Sequence, residues 1–349
     1  MIEKFKTNFA AIALSENDQA GIIHANCPIP HFSFLDDFSD TFYLLSNISA
    51  AIAESENQMV EISFPANSDG SIRYCNDVAP FMLLDKMTKS SGSKLHVSFE
   101  GQNSLEKVLC AIHLKCNDEN CVCFDKNHNE VFPVPVMWFE PSEVGDYEQK
   151  CQCFITNAAI MFADELEKAS QEIEIEGASL DEILSLESHL WELLGNCYHA
   201  RNGDSLSGEL GFSSYLALRE GKLYINISVI TFGNSIRETF SHIPSTVQQM
   251  SDTTEDVSVF ESDETKLADV LAINDVVTNG RSSKRGDKSG GLFKFFLAIK
   301  QMSTDYHATL MSGSGSLVQS STEGENFYIL PAHTPGTVIT TRFKVDSVA

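Results

Sequence analysis

The sequence is poor in positive charge and has no long apolar run. It contains 24 Lys and Arg residues against 49 Asp and Glu residues, which gives a net charge of −25. Nonspecific binding to nucleic acid or to an anionic membrane requires a positive surface, and no apolar run reaches the length of a membrane span. The first residues lack a sustained apolar segment with a cleavage site, so we expect no signal peptide. We therefore predict a cytoplasmic protein without a nucleic-acid or membrane partner.

Several motifs of catalysis and metal binding are missing. The sequence has no G-x-x-x-x-G-K-[ST] phosphate loop, no H-x-x-x-H spacing among its ten His residues and no nucleophile-elbow motif. Nine Cys residues without a secretion signal indicate reduced thiols rather than disulfides. A thiolate zinc site is the alternative interpretation of some of these residues. Free thiols are the favoured interpretation, because C-x-C lacks the turn that C-x-x-C provides. The candidate ligands are Cys116, Cys121, Cys123, Cys151 and Cys153.

The length and the hydrophobic patterns predict two α/β domains, which cover residues 1–165 and 178–349. A chain of 349 residues exceeds the usual size of one domain. In the first domain, strand-like and helical patterns alternate, which indicates a partly parallel sheet with helices packed against it. The predicted elements are strands at 60–64 and 95–99 and helices at 78–87 and 105–114.

The second domain is predicted to pack helices on a mixed sheet. A charged helical stretch at 163–174 leads to the boundary at Gly177, and Ser179 with Glu182 forms a capping-box pattern that opens a long helix. Residues 245–266 are polar and acidic without a clear period, which indicates a loop. The other predicted elements are strands at 223–230, 308–311 and 338–345, helices at 267–277 and 292–302, and a turn at 312–316.

The predicted long helix carries the most informative polar residues. Glu192, Asn196 and His199 are spaced i, i+4 and i+7, so they share one helical face. A carboxylate can activate a water molecule, and an amide oxygen can bind magnesium. The alternative is an ordinary surface helix whose polar face carries these residue types.

The order of the segments after residue 178 resembles the Bergerat-fold (GHKL, histidine-kinase-like) ATP-binding domain. The helix with Glu192 and Asn196 resembles the N-box of that family. The segment SVITFGNSI at 228–236 resembles its strand followed by D-x-G-x-G, and RSSKRGDKSGGLFKFF at 281–296 resembles its glycine-rich lid. Gly336-Thr337 resembles the Gly-Thr that closes over the adenine.

This resemblance, which covers about residues 178–345, implies ATP and Mg²⁺ as cofactors. Carried over, Asn196 binds the magnesium ion, and Glu192 activates water wherever hydrolysis occurs. The implied nucleotide site also includes residues at the base and phosphate positions, namely Thr231, Gly233, Lys284, Arg285, Gly290, Gly291 and Thr337.

Three positions depart from the family pattern. Thr231 stands where the family has the Asp that binds the adenine amino group, and Ser235 replaces the second Gly of the same box. Phe293 lies where the lid usually has a Gly. An Asp accepts a charge-assisted hydrogen bond whereas a Thr offers a neutral one, and a Phe ring crowds a site that needs close backbone approach. The departures favour weak or absent hydrolysis.

The N-terminal half resembles a STAS-like domain over about residues 55–115. The segment IRYCNDVAP at 72–80 lacks the phosphorylatable Ser of anti-sigma-factor antagonists. STAS-like and Bergerat modules recur together in bacterial regulatory proteins, so the two resemblances imply an ATP-binding switch that controls a partner protein. There are two alternatives: a pseudo-ATPase scaffold without nucleotide binding, and a Ser/Thr protein kinase of the anti-sigma type. The sequence leaves the oligomeric state open, and a homo-oligomer is compatible with it.

Overall fold

The computed structural model describes residues 2–3, 13–16, 22–27, 32–54, 59–65, 77–99, 131–140, 147–172, 188–191, 193–195, 209–219, 222–240, 264–280 and 290–345. These residues form a mixed α/β structure around two β-sheets. No helix within these stretches is both long enough and apolar enough to cross a membrane.

The secondary structure consists of strands and helices with the following bounds. The strands are β1 (Ile2–Glu3), β2 (Ala13–Glu16), β3 (Ile22–Asn26), β4 (Met59–Phe64), β5 (Lys94–Phe99), β6 (Val131–Phe139), β7 (Glu209–Arg219), β8 (Lys222–Phe232), β9 (Tyr306–Ser320) and β10 (Gly324–Lys344). The helices are α1 (Phe38–Glu54), α2 (Ala79–Ser90), α3 (Tyr147–Glu172), α4 (Ile236–Phe240), α5 (Glu264–Val277) and α6 (Gly291–Met302). Residues 188–191 and 193–195 are also helical.

The small sheet has the strand order β2-β3-β4-β5. Strands β2 and β3 are antiparallel, whereas β3, β4 and β5 run parallel. The alternating sequence of β4 buries Val60, Ile62 and Phe64 completely, as the period of two in a strand requires. Their side chains share a core with residues of α1 and α2.

The large sheet has the order β6-β7-β8-β10-β9, with β1 beside the first part of β10. All its pairs are antiparallel except β1 with β10. Strands β1 and β6 lie within residues 1–165 and nevertheless pair in this sheet.

Both faces of the large sheet are covered, which explains the nearly continuous apolar sequence of β8. On one face, Ile227 and Val229 share a core with α3, α5, α6 and the helical residues at 188–191 and 193–195. On the other face, Ile230 and Val338 share a core with Phe81 of α2 and with other residues of the N-terminal part. We call the first of these the helix-covered face.

A buried carboxylate ties the N-terminal part to the large sheet. Asp77 Oδ1 accepts hydrogen bonds from Thr340 Oγ1 at 2.7 Å and from Ala79 N at 2.9 Å, and its Oδ2 accepts one from Phe34 N at 2.7 Å. Thr309 Oγ1 donates to Phe34 O at 2.8 Å. Burial raises the pKa of Asp77 to about 6, against the lowering effect of these hydrogen bonds.

Most elements predicted in the described stretches are confirmed. These are the strands at 60–64, 95–99 and 223–230 and the helices at 78–87, 267–277 and 292–302. The helix predicted at 105–114, the boundary at Gly177, the capping box of Ser179 and Glu182, and most of the loop at 245–266 lie outside the described residues.

The turn predicted at 312–316 is wrong, because β9 runs from Tyr306 to Ser320 without a break. A Cβ atom on Gly315 would lie 2.7 Å from Val270 N, and one on Gly313 would lie 2.6 Å from Asp269 Oδ2. The two glycines therefore allow α5 to pack directly on the backbone of the strand.

Candidate functional site

The structure places two of the predicted site residues directly opposite each other. Thr231 near the end of β8 pairs with Thr337 of β10. Both face the helix-covered side, since Thr231 follows Val229 by two residues along the strand. Both are buried, and Thr337 also pairs with Ser312 of β9. We call Thr231, Thr337 and Ser312 the hydroxyl row.

Hydrogen bonds join the members of the hydroxyl row. Thr337 N donates to Thr231 Oγ1 at 3.1 Å, and Thr231 Oγ1 donates to Thr337 O at 3.4 Å. Ser312 Oγ lies 2.9 Å from Thr337 Oγ1 and accepts a bond of 2.8 Å from Ile236 N at the start of α4. The row thus links three neighbouring strands, β8, β10 and β9, to the helix that follows β8.

Gly336 has a steric role beside the hydroxyl row. Its φ is +100°, and a Cβ atom there would lie 2.0 Å from Thr231 O and 2.9 Å from Gly233 N. Only glycine fits this close approach of two backbones. The Gly-Thr pair noted in the sequence therefore brings Thr337 against Thr231, with Gly233 close by.

Ser235, one of the departures from the family pattern, caps α4. Glu238 N donates to Ser235 Oγ at 3.2 Å, and Ser235 N donates to Glu238 Oε2 at 2.7 Å. This is a capping box, and its S-x-x-E signature at 235–238 is visible in the sequence. This cap is not among the sequence predictions, because Ser235 also falls within the segment that resembles a glycine box.

An ion pair between a partly exposed arginine and a buried carboxylate connects α4 to α5 next to this site. Arg237 Nε contacts Asp269 Oδ1, and Ser314 N donates to Asp269 Oδ2 at 2.7 Å. Asp269 is only 2% exposed, so its carboxylate depends on these two partners. Nothing in the local sequence around Asp269 indicates this role.

Gly290 and Gly291 lie at the start of α6, on the helix-covered face. Gly290 is the N-cap residue and has no side chain to bond the first turn, while its own N–H donates to Gly280 O at 3.0 Å. The ring of Phe293 lies over Gly280, 3.3 Å from where a Cβ atom would stand. Phe293 thus packs on Gly280, just beyond the end of α5.

The predicted catalytic and magnesium-binding residues lie outside the described residues, as do Lys284 and Arg285. Around Glu192, the structure describes residues 188–191 and 193–195 as helical. Leu190, Leu193 and Leu194 are completely buried in the core of the helix-covered face. These three leucines form the buried side of this helical stretch, whereas the positions and roles of the Glu192 and Asn196 side chains stay predictions.

The described stretches contain no group of three or more His, Cys, Asp or Glu side chains that could hold a metal ion. Of the candidate zinc ligands, Cys151 is buried and Cys153 is exposed, and neither is in a disulfide. Cys116, Cys121 and Cys123 lie outside the described residues.

An open groove of about 840 Å³ lies where β6 ends beside α3. Its lining includes Trp138, Phe139, Phe154, Lys150 and Cys153. None of the residues predicted for the nucleotide site lines this groove, and the indole of Trp138 is engaged elsewhere, stacked on Phe232. The hydroxyl row therefore remains the candidate site.

No protein-family model, curated protein or solved structure matches this chain.

Proposed function

We propose that the protein is an ATP-binding regulatory switch of the Bergerat type, with weak or no hydrolysis, that controls a partner protein. The observation that carries this proposal is the pairing of Thr231 with Thr337. They belong to the two segments that resemble the base-binding boxes of the family, and they are 106 residues apart in the sequence. A shared base-binding site requires the two segments to lie side by side, and the pairing of β8 with β10 meets that requirement.

The order of elements on the helix-covered face supports the same proposal. The helical residues at 188–191 and 193–195 precede the β7–β8 hairpin, which is followed by α4, α5 and α6 and then by the β9–β10 hairpin. Strand β8 lies next to β10, so the two predicted base-binding segments include residues of neighbouring strands. The small sheet, with one antiparallel and two parallel pairs, suits a STAS-like partner module.

The end of the proposed site that would hold the purine base, called the base end, offers neutral hydrogen-bonding groups. These would bind a purine more weakly than a charged group would. A neutral hydroxyl at Thr231 can accept a hydrogen bond from an exocyclic amino group, but without the charge that an Asp supplies. ATP would bring the phosphates, and Mg²⁺ would neutralise part of their charge. In this proposal Asn196 holds the ion, Glu192 activates water wherever hydrolysis occurs, and Lys284 and Arg285 meet the phosphates.

A scaffold without nucleotide binding is the second candidate. Each departure from the family pattern in the described stretches has a structural role: Thr231 bonds the backbone of Thr337, Ser235 caps α4, and Phe293 packs on Gly280. A chain that had lost nucleotide binding would be free to acquire such substitutions. In this alternative the protein still binds a partner protein, but it binds neither ATP nor Mg²⁺.

Calorimetric titration of the full chain with ATP, with and without Mg²⁺, separates the two candidates. The switch predicts saturable binding that Mg²⁺ strengthens, and loss of the Mg²⁺ effect in Asn196→Ala. Asn157→Ala on the exposed surface of α3 is the matched control and should behave as the wild type. Absence of saturable binding to the folded wild-type chain would support the scaffold instead.

A further inference from the structure

The contacts of Ser312 fix the direction of the hydrogen bonds in the hydroxyl row. A hydroxyl group has one proton to donate and can accept two bonds. Ile236 N must donate to Ser312 Oγ at 2.8 Å, and Gly336 O must accept from it at 3.2 Å. The third contact, 2.9 Å to Thr337 Oγ1, is then satisfied only if Thr337 is the donor.

The hydroxyl protons of the row are therefore all donated to acceptors within the protein. Thr337 donates to Ser312, and Thr231 donates to the carbonyl oxygen of Thr337 at 3.4 Å. Thr231, Thr337 and Ser312 are 3%, 5% and 1% exposed, so water does not compete for these bonds. A purine ring nitrogen is an acceptor, and neither threonine has a proton available for it.

We propose that Ser312 locks the base end of the site, so that a purine nucleotide binds only after the bond between Thr337 and Ser312 breaks. This inference rests on the proposed function and adds its regulation. Ser312 is a positioning residue that acts through Thr337. It also accepts the bond from Ile236 N, and the next residue, Arg237, is paired with Asp269 of α5. Release of Ser312 would thus loosen the start of α4 and its link to α5 whenever a nucleotide enters.

The lock predicts that removal of the Ser312 hydroxyl tightens nucleotide binding. In Ser312→Ala the proton of Thr337 becomes available to the ligand, and the affinity for ATP with Mg²⁺ should rise about three- to tenfold, the worth of one net hydrogen bond. Ser316→Ala is the matched control on the same strand. Its hydroxyl is also fully buried but has no hydrogen-bond partner in the described part of the chain, so its loss should leave the affinity unchanged.

A double-mutant cycle distinguishes a lock from general loosening of the sheet. In a Thr337→Val background, Ser312→Ala should give no gain, because the proton that it frees is absent. Loosening alone would change the affinity to the same extent in both backgrounds. Should Ser312→Ala fail to fold, Ser312→Cys supplies a weaker hydrogen-bonding group of similar size and should give a smaller gain in the same direction.

The outcomes of the titrations separate this inference from the proposed function. Tighter binding by Ser312→Ala than by Ser316→Ala, abolished by Thr337→Val, supports the lock, and so does binding that appears only in Ser312→Ala. Binding by the wild type that Ser312→Ala leaves equal or weaker overturns the lock but leaves the nucleotide function standing. Absence of binding in the wild type and in every folded Ser312 variant overturns both.

Discussion

Substitution of Gly336 by Ala tests the close approach that places Thr337 against Thr231. The new Cβ atom would lie 2.0 Å from Thr231 O, and that neighbour is backbone in a central strand, so β8 and β10 must separate. The φ of +100° adds strain of its own, about 1–3 kcal/mol. Overpacking in a well-packed region costs roughly a further 1–3 kcal/mol. We expect Gly336→Ala to lower the free energy of unfolding by about 2–6 kcal/mol in total.

Gly324→Ala is the control for this prediction. Gly324 also has a positive φ, +76°, but a Cβ atom there meets nothing within 4 Å. It should cost only the conformational strain, about 1–2 kcal/mol. Urea unfolding followed by circular dichroism gives both values. If Gly336→Ala is no more destabilising than Gly324→Ala, the steric argument for the Gly-Thr pair is wrong.

Three further predictions concern other parts of the account. Because burial raises the pKa of Asp77 from 3.8 to about 6, its contribution to stability is complete below pH 3.8 and is lost as the pH rises through 6, about 3 kcal/mol in all. This pH dependence should be missing from the unfolding curves of Asp77→Asn, and an unchanged curve would contradict it. Gly315→Ala should lower the melting temperature by pushing α5 away, at a cost of about 1–3 kcal/mol, whereas Gly195→Ala, a helical site with open space, should be neutral or stabilising. Any ATP hydrolysis should disappear in Glu192→Ala while ATP binding persists, and turnover that survives in this variant would exclude Glu192 as the base.

The fold was predictable where apolar periodicity was strong and local. The alternation in β4 and the apolar runs of β8 and α6 gave their elements with bounds close to those observed. Strand β10 was predicted only at 338–345, although it has 21 residues. Its first part contains Pro331, and its register shifts between Ile329 and Thr337, so the local pattern breaks where the strand continues.

The candidate site was predictable only in part, because its geometry depends on contacts between distant segments. The resemblance pointed to Thr231 and Thr337, but no local signal sets the register of strands 106 residues apart. The glycines beside Ser312 predict a turn, but in the structure they let α5 pack on the backbone of β9. Asp269 lies in a helix whose sequence gives no sign of its partner Arg237.

The most direct test of the central claim, that Thr231 stands where a nucleotide base is read, is the affinity of Thr231→Asp for ATP and GTP. An Asp there supplies a charged acceptor for the adenine amino group, and the account predicts tighter ATP binding by about 1–2 kcal/mol, with a smaller effect on GTP. Thr231→Asn, which has a similar shape without the charge, should gain less. An unchanged affinity for ATP in a folded Thr231→Asp chain would contradict the claim.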